Sequence, residues 1–179
     1  EFNISGARDA LWVLRCQYYL ANHKERVEKH SDVLSENIIS NVNAGLKMSL
    51  ADGAYAERVW SGVYREFQRL FEKIDLLILP GNAISPFLLK DGIPMEINGM
   101  LLENYVDASL VRSIVTLSGQ PVVSIPCGSD HLGFPFGVQL VGKKHCDNQL
   151  LSFANALEKF FQSHNNMKRL KPNIKELSV

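Results

Sequence analysis

The sequence predicts an α/β protein, a sheet layered with helices, and three observations carry that prediction. The segment "SLADGAYAERVWSGVYREFQRLFEKI", from Ser49, has a helical hydrophobic period. It gives way at once to "IDLLILP", residues 74–80, a short continuously apolar run closed by Pro80-Gly81. Runs of that kind suit strands covered on both faces, which occur inside sheets layered with helices. Further on, two strand-like runs lie about eight residues apart, too close for a parallel crossover, and an amphipathic helix follows them.

The elements are justified in chain order. Residues 6–29 read as a helix because Ala10, Leu11, Leu14, Tyr18 and Ala21 recur at three or four, with Lys24-Glu25-Arg26 forming a solvated face. A second helix is expected from Ser31 or Asp32 to Ala44, capped by one of those two and ended by Gly45. These make a helical lead-in over residues 1–50. In the third helix Tyr55, Val59, Val63, Phe67 and Leu70/Phe71 fall on one stripe and read as packing residues. After the strand at 74–80, "GNAISPFLLKDGIPMEINGM" is rich in proline and glycine, so regular structure is not expected over most of it. A loop that long in a compact domain is usually functional or draped over something.

Residues 103–119 return to helix, with Tyr105, Ala108, Val111/Arg112 and Val115 in register and Gly119 as the stop. Pro121–Cys127 and Phe136–Gly142 then pair as an antiparallel hairpin. Gly128 and Gly133 give the turn its freedom, and Ser129 and Asp130 are ordinary turn formers. The helix "DNQLLSFANALEKFFQ", capped by Asp147 or Asn148, places Leu150/Leu151, Ala154, Leu157 and Phe161 on one face, which should cover the hairpin. Residues 51–162 thus read as helix-strand-loop-helix-hairpin-helix. Residues 163–179 read as a basic polar tail, with Lys168, Arg169, Lys171 and Lys175 on a surface arm.

Composition narrows the function classes. The chain has 179 residues, 46% hydrophobic and 21% charged, enough to bury roughly two thirds of its unfolded surface. Lys+Arg and Asp+Glu both number 19, so no excess of positive charge is available to track a phosphate backbone, and nucleic acid is disfavoured as the main ligand. Cys16, Cys127 and Cys146 are far apart and include no C-x-x-C pair, which fits a reducing, cytoplasmic setting better than a disulfide framework or a zinc site. The longest apolar runs fall far short of the roughly 20 residues that a membrane helix needs. The chain opens on Glu1-Phe2 without methionine, so its first residues read as a cleavage product or a cloning remnant.

Motifs for chemistry are sparse. No G-x-S-x-G elbow, P-loop, G-x-G-x-x-G or H-E-x-x-H occurs. Cys127 and Cys146, with His131 and His145 nearby, have the types of a nucleophile and base, but Cys127 ends an apolar strand, where cysteine packs as a small hydrophobe. A metal site from His131, His145 and Cys146 lacks a fourth ligand and a recurrent spacing. For Ser118 and Ser124, ordinary hydrogen bonding outweighs nucleophilic use. No catalytic residue, metal ligand or cofactor is therefore assigned. The loop after Pro80 differs, because ligands collect at the carboxyl ends of strands in open α/β sheets. Gly81, Asn82, Ala83 and Ile84 are the candidate substrate-binding residues. Gly81 allows close backbone approach, and Asn82 and Ser85 can bond a polar group. The alternative is a loop that only connects layers.

Three segments carry a resemblance: "FEKIDLLILPGNAISP", "TLSGQPVVSIPCG" and "GFPFGVQLVGKKHCDNQLLSFANALE". In order and spacing, over about residues 50–162, they resemble the C-terminal part of the amidase signature family. The resemblance implies an α/β/α fold with a mixed central sheet and covering helices. It also implies carboxamide hydrolysis by a serine nucleophile, with a cis-configured serine relaying protons to a lysine and backbone amides stabilising the oxyanion. Those groups belong to a Gly-Gly-Ser-Ser-Gly type segment with no counterpart here, "NISGARDA" included. No catalytic residue is carried over. Gly81 stands where the family often has threonine, and Thr116-Leu117-Ser118 replaces a commoner Asn-containing run, both near the substrate channel.

The resemblance therefore implies the C-terminal segment of an amidase acting on linear amides, inactive alone, whose partners are the amino-terminal catalytic portion of the same enzyme and a small amide substrate. Without that portion, strand 74–80 would expose sheet edge and apolar surface, so self-association or a bound partner is expected. Two alternatives stand beside this reading. One is a non-catalytic interaction module that kept the scaffold. The other is the amidase component of a tRNA-dependent amidotransferase, which the neutral charge disfavours.

Overall fold

Three helices form the first of two units into which the chain divides, Glu1–Leu70 with Thr116–Ser118. The structure, a computed structural model, describes residues 2–169, 171, 173 and 174. Helix α1 (Ala7–His30) buries Ala7, Ala10 and Cys16, while Tyr18, expected on the packed stripe, points to solvent. The Lys24-Glu25-Arg26 run is exposed, as expected. Helix α2 (Glu36–Lys47) starts one turn later than the sequence suggests, after a 3-10 turn at Ser31–Val33, with Ser35 at its N-cap.

Gly45 does not end α2 but lies buried within it. A Cβ there would meet the Cys16 carbonyl oxygen at 2.8 Å and the Leu20 Cβ at 3.2 Å, so the glycine lets α2 approach the α1 backbone. Gly45→Ala should destabilise this unit by about 1–3 kcal/mol through overpacking. Trp12 and Trp60 both lie in the unit, so the midpoint of urea unfolding followed by tryptophan fluorescence reads the effect.

Helix α3 (Leu50–Leu70) begins with a reciprocal cap. The Ser49 hydroxyl accepts the Asp52 N–H at 3.2 Å, and the Asp52 carboxylate accepts the Ser49 N–H at 2.7 Å. The Ser49 N–H first, and then the Ser49 hydroxyl, which also donates to that carboxylate at 2.8 Å, hold the Asp52 carboxyl below its ordinary value. The buried stripe is Gly53, Ala56, Val63 and Phe67, whereas Tyr55 faces outward. A stripe drawn from hydrophobicity alone omits the small residues that face inward where helices approach closely. Phe2 packs edge-on to Phe67 with centroids 5.2 Å apart, and the Trp60 indole N–H donates to the Leu117 carbonyl at 2.9 Å.

The second unit is Phe71–Val115 with Gly119–Val179. Its three-stranded sheet has the order β1 (Leu76–Pro80), β5 (Pro135–Gly142), β4 (Val122–Ser129), all antiparallel. The resemblance implies a mixed sheet, and the described strands pair antiparallel throughout. The hairpin of β4 and β5 forms as the sequence predicts, with a bulge near Gly128, whose φ is 75°. On one face Leu140, Ile125 and their neighbours pack against Leu150, Ala154 and Phe161 of α5 (Asp147–Ser163), so α5 covers the hairpin as expected.

Strand β1 exposes sheet edge and apolar surface, the outcome expected of this run where no further portion covers it. It is an edge strand, and Ile78 is 48% exposed, so among the described residues nothing covers that part of an apolar run patterned for burial on both faces.

Between β1 and α4 (Leu110–Ser118) the chain is mostly irregular, with a minimal ribbon of β2 (Glu96–Ile97) and β3 (Met100–Leu101) turning at Asn98-Gly99, both at positive φ. That Asn-Gly pair is a local hairpin signal inside a segment otherwise marked as irregular by its prolines and glycines. The helix expected over 103–119 begins late because Asn104 first closes a turn, its side-chain oxygen accepting the Val106 N–H at 2.9 Å. Gly119 ends it at φ 64°, as expected. After α5 the described residues of the tail are exposed, yet Asn165–Met167 form a 3-10 turn set against β4. A Cβ on Gly128 would collide with the Asn166 carbonyl oxygen. Lys175 lies outside the described residues.

Candidate functional site

The four candidate residues Gly81, Asn82, Ala83 and Ile84 leave the carboxyl end of β1 and line a depression of ≈ 480 Å³. Its floor is low for a reason that begins in the sequence. The Gly81 N–H donates to the Gly137 carbonyl at 2.8 Å, which extends the β1–β5 ladder by one residue. A Cβ on Gly81 would stand 2.9 Å from that oxygen, and one on Gly137 would stand 3.2 Å from the Ile125 carbonyl oxygen. Two facing glycines thus keep the strand ends close and leave no side chain above them. Ser124, on the same face of β4 by its register with Gln139, adds a small polar group. Ser124 lines the depression.

The walls come from Pro86 and Phe87 of the loop and from His131 and Phe136 of the hairpin. Aromatic and aliphatic walls with a few polar groups at the base make a surface suited to a small, partly apolar molecule carrying a hydrogen-bonding head. No local pattern announces that residues 124, 131 and 136 meet the 81–87 segment, because it is the pairing of β1 with β5 that brings them together.

One contact within the site joins distant parts of the chain. The Ser85 hydroxyl donates to the Asp130 carboxylate at 2.5 Å. The other Asp130 oxygen accepts the Leu132 and Phe134 N–H groups, each at 2.9 Å. The Ser85 hydrogen bond first, then those amides and the adjacent His131, hold the Asp130 carboxyl below the usual carboxylate range. It is ionised at neutral pH and is a weak base.

The other candidates for chemistry stay apart. Burial pushes the Cys127 thiol up, so it persists as a packing thiol rather than a thiolate. Cys16, fully buried in the helical unit, is pushed to about 11 by the same cause. Ser118 is buried at the end of α4. Among the described residues no group of three His, Cys, Asp or Glu side chains is placed to hold a metal ion, and no helix is long and apolar enough to cross a membrane.

Comparison with known proteins bears on the family and the fold. The family pattern described as Amidase matches residues 16–151. A protein of Prochlorococcus marinus subsp. pastoris, named as one of the subunits of glutamyl-tRNA(Gln) amidotransferase, is 31% identical over 153 residues, covering 84% of this chain and 29% of that protein. Its namesake in Symbiobacterium thermophilum is 32% identical over 109 residues, 61% of this chain and 21% of that protein. Among solved structures, an amidase superposes with a TM-score of 0.78 at 20% identity, covering 89% of this chain and 36% of the other. An inhibitor-bound vestigial protein complex, described as revealing the evolutionary origins of an s-triazine catabolic enzyme, gives 0.80 at 22% identity, covering 95% and 36%. These likenesses establish the α/β fold. The chain spans less than a third of the length of the curated relatives it matches.

Proposed function

The chain belongs to the amidase family, and from that premise we propose that it is the C-terminal segment of an amidase-signature hydrolase that cleaves carboxamide C–N bonds. Its contribution is the end of the sheet and part of the substrate pocket, with Gly81, Asn82, Ala83 and Ile84 at the pocket wall. The serine nucleophile, the cis-configured serine and the lysine lie on residues outside this chain. The observation that carries the reading is the depression at the carboxyl end of β1, where the four loop residues stand over a glycine-lined floor. The exposed Ile78 on an apolar edge strand supports a partner, either the amino-terminal portion or a second copy, that covers this side of the sheet. Free thiols at Cys16, Cys127 and Cys146 suit a cytoplasmic setting.

A second reading has its own support, since the relatives at about 30% identity bear the name of an amidotransferase component. It predicts ammonia transfer from glutamine only with companion subunits and charged tRNA. The purified chain, offered a range of linear primary amides and glutamine, should release no ammonia above buffer. The gene's complete product should release it from at least one simple amide without tRNA. Turnover by the chain alone would refute the incomplete-enzyme reading, and strict dependence on tRNA would favour the second.

A further inference from the structure

We infer that Asp130 is a positioning residue which, through Ser85, presets the 81–84 segment for substrate. This rests on the reading of that segment as a pocket wall. The segment is held at both ends. At the near end the Gly81 N–H donates to the Gly137 carbonyl at 2.8 Å. At the far end the Ser85 hydroxyl reaches Asp130, 45 residues away, at 2.5 Å. Between these anchors the Asn82 side chain donates to the Ile84 carbonyl, at 3.4 Å.

The far anchor is itself rigid. Asp130 is fixed by the two amide bonds to Leu132 and Phe134, by its own N–H donating to the Phe134 carbonyl at 2.8 Å, and by the Gly133 N–H donating to its carbonyl at 3.0 Å. A serine that donates its proton to a carboxylate that already accepts two backbone N–H bonds is not being activated as a nucleophile, since that carboxylate is too weak a base. The arrangement instead removes freedom from a loop that must present backbone and Asn82 to a ligand, which lowers the ordering cost of binding.

Ser85→Ala removes the far anchor without disturbing the turn around Asp130, and Ser85→Thr restores the hydroxyl. In the chain itself, hydrogen exchange at residues 82–85 should quicken roughly tenfold in Ser85→Ala and in Asp130→Ala, and stay slow in Ser85→Thr. In the gene's complete product, assayed with acetamide, hexanamide and benzamide, Ser85→Ala should raise KM roughly tenfold with kcat within about twofold, and Ser85→Thr should recover KM. Unchanged exchange in Ser85→Ala overturns the anchor. Faster exchange with unchanged KM, or a loss confined to kcat, overturns the positioning role. If the complete wild-type product hydrolyses none of the amides, the positioning role falls together with the pocket reading, while the exchange result still decides the anchor.

Discussion

Leu140→Ala should lower the unfolding free energy of the sheet-containing unit by about 3–5 kcal/mol. Leu140 has no exposed surface and sits on the central strand, with Ile78 of β1 and Val123 of β4 as its register partners. Above it lie the α5 side chains Leu150, Ala154 and Phe161. Truncation leaves a hole walled by two hydrogen-bonded ladders and a helix, none of which can close on it cheaply, so the cavity cost adds to the lost transfer free energy. Hydrogen exchange of the amides at 138–142 is the suitable measure, because both tryptophans lie in the other unit. A loss under about 1 kcal/mol would mean that the α5-to-sheet contact does not hold this unit together.

Much of this fold is legible in the sequence because its signals are local. The hairpin follows from two apolar runs too close for a crossover, the α5 face from a period of three to four, and the end of α4 from Gly119. Sequence and structure part where a residue's meaning depends on a neighbour far along the chain. Gly45 reads as a helix stop until the Cys16 carbonyl is seen beside it. The inward stripe of α3 runs through Gly53 and Ala56 because helix approach rewards smallness as well as hydrophobicity. The burial expected of "IDLLILP" is a property of the strand's composition, and the composition does not say which polypeptide covers it.

For the site, the end of a strand and Gly81 single out the 81–84 segment. Its companions Ser124, Asp130, His131 and Phe136 carry no such mark, since nothing in a single sequence reports that β1 pairs with β5. Asp130 reads as an ordinary turn former, and it is one. Its second carboxylate oxygen, which reaches Ser85, is the part that only the fold reveals.

Gln139→Leu should cost about 2–4 kcal/mol even though leucine is apolar and of similar size. Gln139 is 5% exposed and lies on the opposite face of β5 from Leu140. Its amide nitrogen donates to the Pro80 carbonyl at 3.0 Å and to the Val111 carbonyl at 3.3 Å, tying the last residue of β1 and helix α4 to the central strand. Leucine fills the space but leaves those carbonyls without the donor, which is the costly half of a buried hydrogen bond. Gln139→Glu separates donor loss from shape. A carboxylate facing two carbonyl oxygens is repelled and desolvated, so its folded-state pKa rises above the unfolded value. Stability should therefore be lost as pH rises through that raised pKa and regained as pH falls below it, when the protonated acid can donate. The order at pH 7 should be wild type, then Gln139→Leu, then Gln139→Glu, read from exchange of the β5 amides. Because Pro80 directly precedes Gly81, exchange at 81–85 should quicken in both variants, linking a buried amide to the pocket wall. Wild-type stability in Gln139→Leu, or a Gln139→Glu variant indifferent to pH, would show that packing rather than hydrogen bonding holds this corner.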